Sequence, residues 1–211
     1  MSLFSINQDK IKKWAELARI TYNIGLIRSC ETVIFQDIAN SETIMQISDK
    51  ENEVSMSQEI MDFLSNGDSP LVLTHNHGGK ETCFSNRDIE ALLDYPRINY
   101  MVVINSKQEI YILGKTQYTK SRDEVMRLFW DWWSTSEKKA ANLKYKTAII
   151  LAFSPLAMHA DKVEYEKLIK IEDEVIAALH NMTDYKEFLK FAKIAGFYGA
   201  YLYNELVFDT M

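Results

Sequence analysis

The chain opens with an apolar pattern between Asn7 and about Ile27, in which apolar residues recur at steps of three and four positions. This spacing predicts an amphipathic helix. Two short segments rich in β-formers follow, "ETVIFQDI" and "ETIMQIS", and the turn-like "ANS" between them favours a hairpin. Both predicted strands open with a glutamate, Glu31 and Glu42. The apolar face of the predicted helix comprises Ile11, Trp14, Leu17, Ala18, Thr21 and Tyr22.

The middle of the chain alternates helical and extended patterns. "SMSQEIMDFLSNG" predicts a short helix that starts at Ser55 or Ser57, and "SPLVLT" predicts a buried strand after it. A second short helix, "NRDIEALLDY", follows Ser85 and is closed by Pro96. "NYMVVINSKQEIYILGK" then predicts two strands around a polar turn. Up to about residue 118 we therefore expect a compact mixture of helices and strands.

Beyond Thr119 the pattern becomes mainly helical. Ser121 caps a helix with an aromatic-rich face, and further helices are expected over about 161–180 and 184–206. The segment "KTAIILAFS" fits either a strand or a buried helix, because periodicity does not separate the two. We therefore predict one domain over residues 1–118 and a mainly helical C-terminal region over residues 119–211.

Composition narrows the function classes. The 211 residues are 47% hydrophobic and carry a formal charge of −6, which disfavours general binding of nucleic acid through its phosphates. The N-terminus has no apolar signal-peptide core, and the longest apolar run is too short to span a bilayer. We expect a cytoplasmic protein without a membrane association. Cys30 and Cys83 are too few for a disulfide framework and are expected to be small buried thiols.

The segment "THNHGGKETCFSNRD" carries the candidate chemistry. His75 and His77 alternate along the predicted strand, so both imidazoles can face one point while Asn76 points away. Ser85 and Asp88 lie one turn apart on the next helix, which is also the spacing of an ordinary capping pair. Two imidazoles and a carboxylate would leave an open fourth position on a tetrahedral zinc ion. The segment therefore fits a helix cap, a zinc site, or both together.

The spacing H-x-H-x7-S-x2-D resembles that of the JAMM (MPN-type) zinc metalloproteases, and the "HNH" is also similar to that of the RadC-type branch. The resemblance covers about residues 8–118. It implies an MPN-like α/β sandwich, with a central mixed sheet flanked by helices, to which the mainly helical C-terminal region is added. It also implies one catalytic Zn²⁺ and the hydrolysis of peptide or isopeptide bonds. One position departs from the family, because Gly78 stands where proline usually follows the second histidine.

Carried over residue by residue, the resemblance makes His75, His77 and Asp88 the zinc ligands. Ser85 would hydrogen-bond the oxyanion or the attacking water, and Glu31 would be the general base, with Glu42 as the alternative. We therefore expect a zinc-dependent peptidase or isopeptidase that acts on a protein or peptide substrate. The alternatives are a catalytically silent JAMM-like scaffold that binds a partner, and a RadC-like role in DNA transactions.

Overall fold

The computed structural model describes residues 8–47, 57–77, 83–134, 185–203 and 206–210. Within these residues, seven strands form one mixed sheet. The strands are β1 (Thr32–Asp37), β2 (Thr43–Ile47), β3 (Leu71–Asn76), β4 (Ile98–Ile104), β5 (Ile110–Gly114), β6 (Tyr198–Tyr203) and β7 (Leu206–Asp209). Their order across the sheet is β2-β1-β3-β4-β5-β6-β7. β3 and β4 run parallel, and the other neighbours are antiparallel.

Helices cover both faces of this sheet. They are α1 (Gln8–Arg28), α2 (Gln58–Ser65), α3 (Asn86–Asp94), α4 (122–134) and α5 (185–195). α1 packs on one face through Ile11, Trp14 and Ala18, against strand residues such as Val72 and Val102. The other four helices share a second cluster on the opposite face. The expected α/β class, with a central mixed sheet flanked by helices, is confirmed.

The predicted elements up to residue 118 are present. The first helix, the hairpin of β1 and β2, and the two strands β4 and β5 all form where their patterns predict them. α2 begins after Ser57, whose side chain accepts a hydrogen bond from the Ile60 N–H, and this settles the choice between Ser55 and Ser57. α3 begins after Ser85 and ends at Asp94, before Pro96. These boundaries follow from local capping and turn chemistry.

The predicted helix from Asp184 to Leu206 is wrong in its second half. α5 ends at residue 195, because Gly196 adopts a left-handed conformation with φ of 79° and the Phe197 N–H bonds back to the Ala192 carbonyl. A side chain at this position would collide with the Tyr118 carbonyl, so glycine is required. The aromatic-rich segment that follows forms β6 and β7.

The C-terminal helix and strands pack together with the elements that precede residue 118. β6 pairs with β5, and Phe188, Phe191 and Ala192 of α5 belong to the same buried cluster as α2 and α3. The described part of residues 119–211 therefore adds two helices and two strands to the sheet and core of residues 8–118. The predicted helix over 161–180 and the segment "KTAIILAFS" lie outside the described residues.

The β3–α3–β4 unit brings the motif together. A helix that connects two parallel strands runs back along the sheet, so the N-terminus of α3 lies near the C-terminal end of β3. Within β3, Leu71 and Leu73 belong to the cluster of α2 to α5, whereas Val72 belongs to the cluster of α1. This alternation sends His75 toward α3 and Asn76 toward α1.

Candidate metal centre

His75 and His77 lie at the C-terminal end of β3, in the middle of the sheet. His75 is paired with Val33 of β1 on one side and Val103 of β4 on the other. The strand direction continues past its last residue, because the His77 N–H donates to the Ile104 carbonyl at 2.9 Å. The two Nε2 atoms are 3.0 Å apart, with 2% of His75 and 9% of His77 exposed. The prediction that both imidazoles face one point is confirmed.

Asp88 meets both histidines from the first turn of α3. Its Oδ1 lies 3.1 Å from His75 Nε2, and its Oδ2 lies 3.4 Å from His77 Nε2. The side chains of Phe84, Ile89 and Leu92 are buried in the core, and this packing fixes the start of the helix against the sheet. Residues 78–82, including Gly78, lie outside the described residues.

Ser85 and Asp88 form a reciprocal capping box. The Asp88 N–H donates to Ser85 Oγ at 3.3 Å, and the Ser85 N–H donates to Asp88 Oδ2 at 2.7 Å. The Ser85 hydroxyl also donates to Asp88 Oδ2 at 2.7 Å. The structural and the functional interpretations therefore coincide, because the cap orients the carboxylate toward the histidines. The Ser85 hydroxyl would have to rotate away from Asp88 before it could donate to an oxyanion.

Glu31 precedes β1 and lies across from His77. Val33 pairs with His75 in antiparallel register, so the same register continued two residues past the ladder brings Glu31, just before β1, opposite His77, just after β3. One carboxylate oxygen of Glu31 and one nitrogen from each of the two histidines all lie within 4.8 Å of one another. Two carboxylates, Glu31 and Asp88, therefore face the histidine pair.

Glu42, the alternative base, lies at the other end of β1. The Asp37 N–H donates to the Glu42 carbonyl at 2.8 Å, so Glu42 sits beside the last residue of the strand. Six residues of strand separate that point from Glu31, a distance of about 20 Å. The exposed side chain of Glu42 lines a surface pocket with Asp62 and Arg97. The structure therefore places Glu31, and not Glu42, beside the histidines.

The electrostatics of the site favour an ionised Asp88. Burial by itself raises the pKa of this carboxyl. The charge of a protonated His75 and the hydrogen bonds from His75 and His77 outweigh burial and hold the pKa of Asp88 well below its usual range. Among the described residues no lysine or arginine pairs with Asp88, and its partners there are the imidazoles of His75 and His77, which carry a charge only when protonated.

The donor set fits a small tetrahedral cation. Neutral imidazoles and a carboxylate are ordinary zinc ligands, and two ligand atoms about 2.0–2.1 Å from a tetrahedral zinc lie about 3.3 Å apart. The two histidine nitrogens are 3.0 Å apart, and they lie 3.1 and 3.4 Å from Oδ1 and Oδ2 of Asp88, respectively. Glu31, His75 and His77 are also close enough together to bind a metal ion. The geometry therefore suits a metal ion with either carboxylate as the third ligand.

The sequence predicted only that Asn76 points away from the imidazoles, and its hydrogen-bonding role was missed. Its buried amide binds the backbone on both sides of Glu31. A buried amide needs partners, but the sequence does not name them. Cys30 and Cys83 are both buried thiols, as expected. Within the described residues, no helix has the length and apolar character needed to cross a membrane.

Comparisons of the chain with protein-family models, with curated proteins and with solved structures found no match.

Proposed function

We propose that this protein is a zinc-dependent hydrolase of amide bonds, a peptidase or isopeptidase, built on an MPN-like α/β domain. One observation carries the proposal. His75 Nε2, His77 Nε2 and the Asp88 carboxylate converge within 3.4 Å of one another, and Glu31 stands beside them. The resemblance to JAMM enzymes in the spacing of these residues supports the same assignment.

In the proposed site His75, His77 and Asp88 hold the metal. Bound zinc lowers the pKa of water to roughly 7 and polarises a carbonyl oxygen. The histidines bind through Nε2, so each carries its proton on Nδ1. Ser85 keeps Asp88 in place through the capping box. The site is thus assembled from the end of a strand and the start of a helix, both anchored in the core.

Glu31 is the proposed general base. Its carboxylate accepts a proton from the attacking water and returns it to the departing amine as the carbon–nitrogen bond breaks. A base that serves both steps must reach the nucleophile and the leaving group. Glu31 satisfies this requirement best, because its oxygen lies within 4.8 Å of both histidine nitrogens. Ser85 is the proposed donor to the oxyanion, once its hydroxyl turns from Asp88.

A ligand and a base respond differently to removal of charge, and this difference tests the proposal. Asp88→Asn is expected to weaken Zn²⁺ binding by about a hundredfold or more. Glu31→Gln is expected to weaken it by about tenfold, as for a group outside the ligand set. Affinity is measured by competition with a chromogenic chelator, and metal analysis counts zinc per chain. Glu42→Gln, at the far end of β1, is the matched control and should leave affinity unchanged.

Hydrolysis is measured with a peptide library that includes lysine-linked isopeptides, with mass spectrometry of the new termini. Glu31→Gln is expected to lower cleavage by about 10³-fold while zinc stays bound. If Glu31→Gln loses zinc and Asp88→Asn does not, Glu31 is the third ligand and the assigned roles are wrong. A wild-type chain that binds zinc and cleaves nothing would favour a silent scaffold.

A further inference from the structure

The side chain of Asn76 lies on the face of β3 opposite the two imidazoles, and 3% of the residue is exposed. Its Oδ1 accepts a hydrogen bond from the Thr32 N–H at 2.7 Å. Its Nδ2 donates to the Cys30 carbonyl at 3.3 Å. One carboxamide therefore binds the chain immediately before and immediately after Glu31.

These two bonds restrain the backbone of Glu31. The Cys30 carbonyl belongs to the peptide unit before Glu31, and the Thr32 N–H belongs to the unit after it. Peptide units are planar, so holding both units limits the two backbone rotations of the residue between them. The amide of Asn76 thus fixes the direction in which the Glu31 side chain leaves the backbone.

Glu31 needs such a restraint because of its place in the fold. The ladder between β1 and β3 begins at the pair Val33 and His75, so Glu31 lies two residues beyond it. α1 ends close by, where Ser29 adopts φ of 53° and the Cys30 N–H bonds to the Gly25 carbonyl at 3.1 Å. The segment that carries Glu31 is therefore a junction between a helix and a strand.

Gly25 of α1 leaves the room that the amide occupies. A Cβ at this buried position would lie 2.7 Å from Asn76 Cγ and 2.9 Å from Asn76 Oδ1, and it would also collide with Nδ2. Glycine is unfavourable inside a helix compared with alanine, so its presence here calls for a packing reason. Close approach of α1 to the Asn76 amide supplies that reason.

We propose that Asn76 is a positioning residue for Glu31. Its amide, in space left by Gly25, hydrogen-bonds the backbone on both sides of Glu31 and so holds the carboxylate beside the two histidines. This inference rests on the proposed function, because the carboxylate is placed for chemistry only if the histidines hold a metal. Asn76 itself touches neither histidine nitrogen in this arrangement; it acts through the backbone of Glu31.

The test is a double-mutant cycle on Zn²⁺ affinity, measured by chelator competition. Asn76→Ala is expected to weaken binding about fivefold in the wild-type background, somewhat less than the ten- to hundredfold loss typical when a direct partner of a metal ligand is removed. In the Glu31→Gln background, Asn76→Ala is expected to have no further effect on Zn²⁺ affinity, because the carboxylate that Asn76 positions is already absent. Asn76→Asp keeps an acceptor for the Thr32 N–H and should fall between asparagine and alanine. Being nearly isosteric, it also serves if the alanine variant does not fold.

A second measurement tests the hydrogen bonds of the Asn76 amide in the metal-free protein. Hydrogen exchange of the Thr32 amide should accelerate by about tenfold in Asn76→Ala, as expected for loss of one hydrogen bond. Gly25→Ala should give a similar acceleration by displacing the amide. Thr116→Ala is the matched control. Its hydroxyl donates to the Gly196 carbonyl at 2.6 Å and accepts from the Tyr118 N–H at 3.0 Å, at the other end of the sheet. This variant should change neither Zn²⁺ affinity nor Thr32 exchange.

Each outcome decides one claim. Equal losses of affinity from Asn76→Ala in the wild-type and Glu31→Gln backgrounds would show that Asn76 acts on the ligands or on stability, and would overturn the proposal. Unchanged Thr32 exchange would overturn it as well. A wild-type chain that binds no Zn²⁺ would refute the proposed function. Thr32 exchange would then still decide whether Asn76 holds the segment.

Discussion

The two ends of the sheet both bury charged side chains, but they satisfy them differently. At the end away from the histidines, Asp37 accepts hydrogen bonds from Ser69 Oγ and from the N–H groups of Ala39 and Asn40. It also pairs with Arg97 at 3.4 Å. We call Asp37, Ser69 and Arg97 the Asp37 cluster. The hydrogen bond from Ser69 is the largest influence that lowers the pKa of Asp37.

Arg97 completes that cluster by donating to the backbone carbonyls of Ser69, Phe63 and Asn66. Its charge balances Asp37 within the chain. At the histidine end, by contrast, no lysine or arginine of the described residues pairs with Asp88, and its partners are the imidazoles of His75 and His77, with Glu31 beside them. A permanent countercharge within the chain marks a structural cluster, whereas imidazoles can give up their protons and, together with a carboxylate, bind a cation.

The largest expected effect is loss of the metal. His77→Ala removes one of three proposed ligands, so Zn²⁺ affinity should fall by about 10²–10³-fold, a share of the total binding free energy of a zinc site. The measurement is chelator competition, with circular dichroism to confirm that the fold is kept. Arg97→Ala, the corresponding change at the other end, should keep its zinc. Retention of full affinity by His77→Ala would break the comparison.

The second effect concerns stability, and it should be larger at the Asp37 cluster than at the histidine end of the sheet. Arg97→Ala leaves the buried Asp37 carboxylate without its cation, so the free energy of unfolding should fall by about 2–3 kcal/mol. Urea denaturation of the metal-free protein measures this change. His77→Ala should cost less in the same experiment, because Asp88 keeps its contacts with His75 and with Ser85. A metal-free His77→Ala variant less stable than Arg97→Ala would contradict the contrast between the two ends.

The smallest effect is a pH dependence of stability that arises neither from the Asp37 cluster nor from the histidine site. Burial lowers the pKa of Lys115 to about 8, and its Nζ donates to the Tyr95 carbonyl at 3.0 Å. The folded state therefore releases this proton at lower pH than the unfolded state, so stability should rise between pH 8 and about 10.5. Partial exposure of the Lys115 side chain limits this rise in the free energy of unfolding, which should be about 1 kcal/mol.

Lys115→Gln provides the comparison for that rise. The variant should show a flatter profile of unfolding free energy over the same pH range, measured by urea denaturation. Its Zn²⁺ affinity should equal that of the wild type, because Lys115 follows β5 at the end of the sheet away from the histidines. An identical slope in both proteins would assign the pH dependence to another group.

Much of the fold could be predicted from local sequence patterns, and the places where the prediction fails have a physical cause. Helix caps such as Ser57 and Ser85 act on their own first turn, so sequence alone locates them. At the C-terminus, Phe188, Phe191, Ala192, Ala195 and Tyr198 keep a helical spacing up to the first residue of β6. That spacing concealed the stop at Gly196. Glycine followed by aromatic residues was the available signal for a helix end and a strand.

By itself, the sequence determined the pair of histidines on one side of a strand, the capping pair Ser85 and Asp88, and the two glutamates that immediately precede the hairpin strands. These features depend on residues close together along the chain, where strand and helix periodicities fix directions. Tertiary structure decided the rest. The crossover from β3 to α3 brought Asp88 to the histidines, antiparallel pairing placed Glu31 beside them and Glu42 at the far end, and α1 packed Gly25 against Asn76. Such contacts join segments distant in sequence, and their geometry depends on sheet order and register, which local patterns do not specify.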